Sequence, residues 1–252
     1  MKEIVSIMDV DIDKITLREA NEKVKDFLKK EKPSIIYTPN TEIIMAADKD
    51  PFLKDILNDG DLTIADGIGL VYAARIKNKD LPERVTGYDL SLNILEIANK
   101  FGYSIFLLGG KEGIGEIAKE KIKQKYPNVK IVGVQNGYFK GTHIGFKDHK
   151  EEKKVISDIN KSKADILFVG LGAPKQEFWI HENKTKLNNK VIIGNGGTID
   201  HLAGIVKRAP QIYQNLGIEW LYRLIKEPNR IKRQKVLPLF VLKVLFSKNI
   251  IR

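Results

Sequence analysis

The sequence predicts an α/β protein with a Rossmann-like open parallel sheet that is covered by helices on both faces. Six short apolar runs, rich in β-branched residues, alternate with longer stretches of helical periodicity. Parallel strands need a crossover connection, which is usually a helix, so this alternation is typical of a parallel sheet buried on both faces. Glycine and polar residues follow each run, as expected at the carboxyl edge of such a sheet, where ligands bind.

The predicted strands are 34–38, 62–65, 103–108, 129–134, 165–171 and 190–194, and Ile4–Ile7 is expected to add an edge strand. Helices are predicted near 16–30, 41–58, 67–76, 87–100, 113–126, 147–160, 174–188 and 211–226. Several of them begin at threonine, a residue type that caps helix N-termini. The Asp-x-Asp patterns at residues 9–13 precede the core strands, so we interpret this segment as a solvated turn rather than a metal site.

The composition excludes several kinds of chemistry. The chain has no cysteine, which excludes disulfides, thiolate zinc sites and cysteine nucleophiles. Its four histidines do not have the spacing of a zinc site, and no cofactor or metal is predicted. Acidic residues stand near the N-terminus where an export signal would be apolar, so we expect a cytoplasmic protein.

The last fifty-two residues carry eleven Lys and Arg against two acidic residues, Glu219 and Glu227, whereas the rest of the chain is nearly balanced. We therefore divide the chain into an α/β body, 1–204, and a basic helical C-terminal appendage, 205–252. The apolar run 236–246 is too short to cross a bilayer, but with the basic charges it predicts a peripheral contact with the anionic inner face of the cell membrane. Packing on the body, or on a second copy in a homo-oligomer, is the alternative.

Asp66 is the candidate general base. It follows the apolar run 62–65 and has Gly67 and Gly69 beside it, which lets a ligand approach. The alternative is a helix N-cap. A helix N-terminus would lower the pKa of Asp66, so burial against a substrate would have to oppose that effect. Thr38 and Asn40 offer short hydrogen-bonding side chains suited to sugar hydroxyls, with a turn and a helix cap as the alternative.

Other candidate ligand-binding residues lie in the loops after the remaining strands. The segment 109–115 offers backbone N–H groups at a helix start to a diphosphate, although a tight turn explains it as well. The segment 136–138 offers an amide and an aromatic ring to a base or sugar, although Asn-Gly is also a common turn pair. The candidates in these loops are Gly109, Gly110, Asn136, Gly137, Tyr138, Gly172, Lys175, Gln176, Glu177, Asn195 and Asp200.

Several ordered motifs resemble the WecG/TagA/CpsF glycosyltransferases, also called glycosyltransferase family 26, and most closely their N-acetylmannosaminyltransferase branch. The resemblance extends from about Thr38 to Arg233. The matching motifs are Thr38-Pro-Asn40, Ala65-Asp-Gly67, Arg84-Val-Thr-Gly87, Asn136-Gly-Tyr-Phe139, Gly172-Ala-Pro-Lys-Gln-Glu-Phe-Trp-Ile180, Lys207-Arg-Ala-Pro210, Gly217-Ile-Glu-Trp-Leu-Tyr-Arg223 and Glu227-Pro-Asn-Arg230.

The resemblance implies an inverting, metal-independent transfer of N-acetylmannosamine from a UDP-sugar donor to the 4-hydroxyl of N-acetylglucosamine on undecaprenyl diphosphate, in wall teichoic acid synthesis. His201 departs from the aromatic residue that usually follows Asp200, and another UDP-hexose, such as the uronic acid of the same sugar, is the alternative donor. Residues matching family positions are Asp66 as the base, Arg84 and Gln176 in the active site, Thr38 and Asn40 in the acceptor pocket, and Arg223, Arg230 and Arg233 at the diphosphate. The resemblance therefore implies that 1–204 is the catalytic body and that the appendage, 205–252, completes its active site.

The basic character also fits a second class of protein, a non-catalytic one that binds nucleic acid or membrane. A nucleic-acid arm would interleave base-stacking aromatic residues with its charges, whereas the run 237–246 is mainly aliphatic. No nucleic-acid partner is therefore predicted.

Overall fold

The computed structural model describes residues 3–228, 231–247 and 250–252. Its strands are β1 (Ile4–Ile7), β2 (Val10–Asp13), β3 (Ser34–Tyr37), β4 (Leu62–Thr63), β5 (Ser104–Gly109), β6 (Lys130–Gln135), β7 (Ile166–Gly170) and β8 (Val191–Gly194). Its helices are α1 (Leu17–Phe27), α2 (Thr41–Ala47), α3 (Pro51–Asn58), α4 (Ile68–Ile76), α5 (Gly87–Phe101), α6 (Ile114–Lys125), α7 (Lys150–Ser162), α8 (Lys175–Asn183), α9 (Thr198–Leu202), α10 (Gln211–Asn215), α11 (Glu219–Lys226), α12 (Ile231–Gln234) and α13 (Val236–Phe246).

The central sheet confirms the predicted α/β fold. Its six parallel strands lie in the order β4-β3-β8-β7-β5-β6. Successive residues of one strand point to opposite faces of the sheet. Ile35 thus belongs to the apolar cluster on one face and Ile36 to the cluster on the other, and Leu108 and Leu107 divide in the same way. Both faces are therefore buried under helices.

The N-terminal segment differs from two expectations. Ile4–Ile7 does not join the central sheet but pairs antiparallel with β2 in a separate sheet. Only Met8 and Asp9 form the turn, with φ of 51° and 62°. Asp13 is buried, where its carboxylate accepts a 2.8 Å hydrogen bond from the Thr63 N–H and pairs with Lys23 at 3.1 Å. The solvated-turn interpretation was therefore wrong for β2, because tertiary partners satisfy its buried aspartate.

Local breaks divide two of the predicted helices. The stretch 41–58 forms α2 and α3, because Asp50 caps a new helix that begins at Pro51. The Asp50 carboxylate accepts hydrogen bonds from the N–H groups of Phe52 and Leu53, at 3.1 and 3.2 Å. The stretch 211–226 divides into α10 and α11 at Gly217, whose φ of 70° interrupts the helix.

The C-terminal segment packs on the body with one side. Phe240 and Val244 of α13, four residues apart, are buried in the cluster formed with α2 and α4. The opposite side is apolar but exposed, with Phe246 at 79%. Arg252 exchanges two backbone hydrogen bonds with Ser6 of β1, at 2.8 and 2.9 Å, so the chain end extends the small sheet. Within the described ranges, no helix combines the length and apolar character that a membrane span requires.

Candidate active site

A cavity of about 690 Å³ opens at the carboxyl edge of the sheet, beside the ends of β5, β6, β7 and β8. Three lysines and two carboxylates line it, so its charge suits an anionic ligand. Its lining includes six of the predicted residues together with residues that the sequence analysis did not single out. The predicted ones are Gly110, Gly137, Tyr138, Gly172, Lys175 and Asp200; the others include Lys111, Lys140, His143 and Glu151.

Glycines bring the backbone of this cavity together. Gly109 ends β5 with φ of 143°, and a Cβ atom placed there would lie 2.4 Å from the carbonyl oxygen of Gly170 in β7. The N–H of Gly137 donates a 3.0 Å hydrogen bond to the carbonyl of Gly110, joining the loops after β5 and β6. The Asn136 side chain accepts a 2.9 Å bond from the Tyr138 N–H, which forms a turn that leaves the Tyr138 ring 75% exposed.

Gly109→Ala is expected to lower the free energy of unfolding by about 3 kcal/mol, because both the backbone conformation and the contact with Gly170 oppose a side chain. Gly102→Ala is the matched control: its φ is 76°, but a Cβ atom would meet nothing within 4 Å. Its cost should be only about 1 kcal/mol. Urea unfolding of both variants measures the difference, and equal costs would contradict the close-contact argument.

Asp66 lies in a second cluster, at the end of β4. This cluster, called the Asp66 cluster below, consists of Asp66, Arg84, Glu219 and Arg223. The Glu219 carboxylate accepts a 3.0 Å hydrogen bond from Arg84 Nη2 on one oxygen and a 2.7 Å bond from Arg223 Nη2 on the other. The appendage therefore places two charged residues beside the predicted base.

Burial raises the pKa of Asp66 to about 6, against the opposing charges of Arg223 and Arg84 and a hydrogen bond from the Gly87 backbone. The nearby Glu219 charge acts in the same direction as burial. Burial also acts to raise the pKa of Glu219, but the charges of Arg223 and Arg84 outweigh it and hold that pKa below its ordinary value. Asp66 is therefore the carboxylate of the pair that is poised to exchange a proton near neutral pH.

Buried polar side chains connect the cavity to the Asp66 cluster. Thr38 Oγ1 donates a 2.8 Å hydrogen bond to the Gly194 carbonyl, and its side chain lies against Gly87. Gln176 accepts a 3.0 Å bond from the Gly196 N–H with its side-chain oxygen, while its Nε2 donates a 3.0 Å bond to Glu177. Gln176 and Thr38 thus lie between the cavity and the Asp66 cluster. The buried polar side chains at this position are called the wall below.

Two further predicted residues lie in this wall rather than in the open cavity. Glu177 is fully buried, and burial raises its pKa to about 7. Asn195 donates a 3.0 Å hydrogen bond from Nδ2 to Ser91 Oγ. Glu177 therefore contacts Gln176 of its own helix, and Asn195 joins the loop after β8 to α5.

His201 lies between the cavity and the Asp66 cluster, next to Asp200. Its Nδ1 is 3.0 Å from the Val206 carbonyl, which only accepts, so Nδ1 carries the proton and Nε2 faces Arg223 at 3.5 Å. Its ring packs 5.3 Å from that of Tyr88. His201 therefore makes an aromatic contact with Tyr88. Burial, followed by the Arg223 charge, lowers its pKa and keeps it neutral near pH 7.

The remaining predicted residues lie nearby or outside the described part of the chain. Asn40 caps α2, accepting from the N–H groups of Glu42 and Ile43 at 2.9 and 3.2 Å, and lies against Gly67. Arg233 pairs with Glu42 at 3.3 Å, so it reaches the start of α2 from the appendage. Arg230 lies outside the described residues.

Sequence reasoning missed Glu219 and Lys111 as members of these regions. Lys111 stands inside the predicted glycine loop, and that position was its signal. Glu219 stands four residues before Arg223, the spacing that brings helix side chains together. Among the described residues, no group of three or more His, Asp or Glu side chains is arranged to hold a metal ion.

Comparison with known proteins gives the family context of this arrangement. The Glycosyl transferase WecG/TagA/CpsF family matches residues 5–251. A relative from Staphylococcus aureus strain MRSA252 is 34% identical over 250 residues, covering 98% of this chain and 94% of the relative. Relatives from strains MW2 and NCTC 8325 / PS 47 are 33% identical with the same coverage. All three are named N-acetylglucosaminyldiphosphoundecaprenol N-acetyl-beta-D-mannosaminyltransferase.

Proposed function

The chain belongs to the WecG/TagA/CpsF glycosyltransferase family, and we propose that it transfers N-acetylmannosamine from its UDP derivative to N-acetylglucosamine on undecaprenyl diphosphate. The acceptor atom is the 4-hydroxyl of N-acetylglucosamine. The observation that carries the proposal is the Asp66 cluster, in which a carboxylate with a pKa of about 6 lies beside two arginines. The names of the relatives support the sugar and the lipid-linked acceptor.

In the proposed reaction Asp66 removes the proton from the acceptor 4-hydroxyl. The resulting oxygen attacks the anomeric carbon of the donor from the side opposite the diphosphate, and the bond from that carbon to the diphosphate oxygen breaks. UDP leaves with the bonding electron pair, and the sugar is inverted. Guanidinium groups suit the leaving diphosphate because their planar donors bind phosphate oxygens, and Arg84 and Arg223 are the described candidates.

The UDP portion of the donor would bind in the cavity. Glycine loops expose backbone N–H groups there, and Lys111, Lys140 and Lys175 provide positive charge for the phosphate next to the uridine, whereas Arg84 and Arg223 would face the phosphate bonded to the sugar. The exposed Tyr138 ring offers a surface on which a base can stack.

A panel of donors tests the function. The full-length protein is incubated with a short-chain lipid diphosphate bearing N-acetylglucosamine and with UDP derivatives of N-acetylmannosamine, its uronic acid and other hexoses. The proposal predicts a disaccharide whose mass corresponds to added N-acetylmannosamine. A product from the uronic acid alone would support the alternative donor, and no disaccharide from any donor would overturn the transferase assignment.

The lipid acceptor also implies a membrane-facing surface, and the exposed side of α13 has the chemistry for it. Leu242 and Phe246 are 51% and 79% exposed, while the opposite side of the helix is buried. The basic residues of the appendage add attraction to anionic lipid. This surface would place the protein on the inner face of the cell membrane.

Replacing Leu242 and Phe246 together with Gln is expected to weaken cosedimentation with anionic phosphatidylglycerol vesicles about tenfold or more, because two exposed apolar side chains lose their lipid contacts. Ile117→Gln is the matched control, since Ile117 is 42% exposed on α6. The control should bind as the unchanged protein does. Unchanged binding by the double variant would contradict this surface.

A further inference from the structure

Glu219 connects the appendage to the body through both of its carboxylate oxygens. Its partner on the body is Arg84, in the loop before α5, and its partner on the appendage is Arg223, one turn along α11. The Glu219 side chain is only 10% exposed and that of Arg84 only 15%. A carboxylate so removed from water interacts strongly with its partners, and its loss leaves two guanidinium groups facing each other.

We propose that Glu219 is a positioning residue, which holds Arg84 and Arg223 in the arrangement that receives the donor diphosphate. The proposal rests on the function proposed above. A guanidinium has five N–H donors, and Glu219 engages one nitrogen of each arginine, so further donors on both side chains remain for phosphate oxygens. Because one carboxylate binds both side chains, it determines their separation and angle before any substrate arrives.

Glu219 also sets the charge around the proposed base. Asp66 is faced by Arg223, Arg84 and Glu219 and by the Gly87 backbone. The groups that face Glu219 are these two arginines, Asp66, and His201 and Arg208 from the segment after β8. His201 is neutral near pH 7, and Arg208 is engaged by both oxygens of Asp89. Removing the Glu219 charge should therefore stabilise ionised Asp66 and lower its pKa.

Glu219→Gln tests both effects in the full-length protein. We expect kcat/KM for transfer to fall about 10- to 100-fold, because each arginine binds a different carboxylate oxygen and the amide NH2 that replaces one of them only donates hydrogen bonds. The acid limb of the pH profile should move to lower pH by roughly half a unit or more. Glu22→Gln is the matched control, since Glu22 is an exposed glutamate whose partner, Lys25, lies on the same helix. Its kinetics should not change.

Glu219→Asp tests the effect of side-chain length separately from the effect of the negative charge. Aspartate keeps the negative charge but is one methylene shorter, so it cannot contact both arginines in the same way. We expect the pH limb to stay at the position of the unchanged protein while kcat/KM falls. If Glu219→Gln does not fold, Glu219→Asp is used in its place. Full activity of Glu219→Asp would overturn the proposal that Glu219 positions both arginines.

A double-mutant cycle with Arg223→Gln tests whether Glu219 acts through Arg223. Coupled residues show non-additive effects, so Glu219→Gln should cost much less in the Arg223→Gln background. Additive losses combined with an unchanged pH limb would mean that Glu219 has only a structural role, and would overturn the inference.

Titration of the Asp66 carboxyl by carbon-13 NMR gives a readout that does not need transfer activity. The inference predicts a lower Asp66 pKa in Glu219→Gln than in the unchanged protein, and an equal pKa would overturn it. Absence of transfer by the unchanged protein would instead overturn the proposed function. Failure of the inference and failure of the function are therefore distinguishable.

Discussion

Asp66→Asn is expected to lower kcat for sugar transfer by about 10²- to 10⁴-fold, the usual contribution of a positioned general base. Asparagine preserves the shape of the side chain but cannot remove a proton. UDP binding should persist, because the cavity is formed by the loops after β5, β6, β7 and β8, whereas Asp66 follows β4. Steady-state kinetics and calorimetric titration with UDP measure the two effects.

The same variant has a predicted stability change with a definite sign. The pKa of folded Asp66, about 6, lies above the ordinary value of 3.8, so the folded protein binds this proton more tightly than the unfolded chain does. The stability that this group contributes is therefore present below pH 4 and is lost as the pH rises through 6. Asp66→Asn should be more stable than the unchanged protein at pH 8, by up to about 3 kcal/mol.

Asp26→Asn is the control, since Asp26 is an exposed residue of α1 paired with Lys29. It should leave kcat and UDP affinity unchanged. Full transfer activity in Asp66→Asn would exclude Asp66 as the base. Loss of UDP binding together with reduced stability at pH 8 would instead mean that the substitution damages the fold.

Arg223→Gln is expected to lower kcat/KM by about 10²- to 10³-fold, the range measured when one donor that stabilises a developing negative charge is removed. Arg223 contributes its charge to the Asp66 cluster from α11 and is 34% exposed, so it can reach both Glu219 and a ligand. Its loss also removes a positive charge that lowers the pKa of Asp66. The acid limb of the pH profile should therefore move to higher pH.

This direction is opposite to that expected for Glu219→Gln, which makes the two variants a matched pair. Arg75→Gln, at an exposed position on α4, controls for the loss of an arginine. Transfer by Arg223→Gln at the rate of the unchanged protein would show that the appendage does not supply this charge to the reaction.

The sheet was predictable because its determinants are local. Each central strand is a short apolar run followed by glycine or polar residues, and the two-residue alternation distributes Ile35 and Ile36 between opposite faces. The small sheet depends instead on contacts between distant parts of the chain. Ser6 pairs with Arg252, and no local pattern marks that partner. The burial of Asp13 likewise depends on Thr63, fifty residues away.

The candidate site shows the same division. Strand ends brought the glycine loops and Asp66 to one edge of the sheet, as their order in the sequence predicts. Sequence alone did not divide these residues between a cavity, a buried wall and the Asp66 cluster. From the sequence, we expected a helix N-terminus to lower the pKa of Asp66 unless a bound substrate buried the side chain. In the folded protein, burial already raises that pKa without substrate. Desolvation depends on every neighbouring element, including Glu219 from the appendage.

The most direct test of the central claim is kcat/KM for disaccharide formation, measured from pH 5 to pH 8 with subsaturating donor and acceptor, because this ratio reports ionisation in the free enzyme. With Asp66 as the base, kcat/KM should rise with pH through a single ionisation near pH 6 and reach a plateau above pH 7. A kcat/KM that is constant over this range would contradict the role of Asp66.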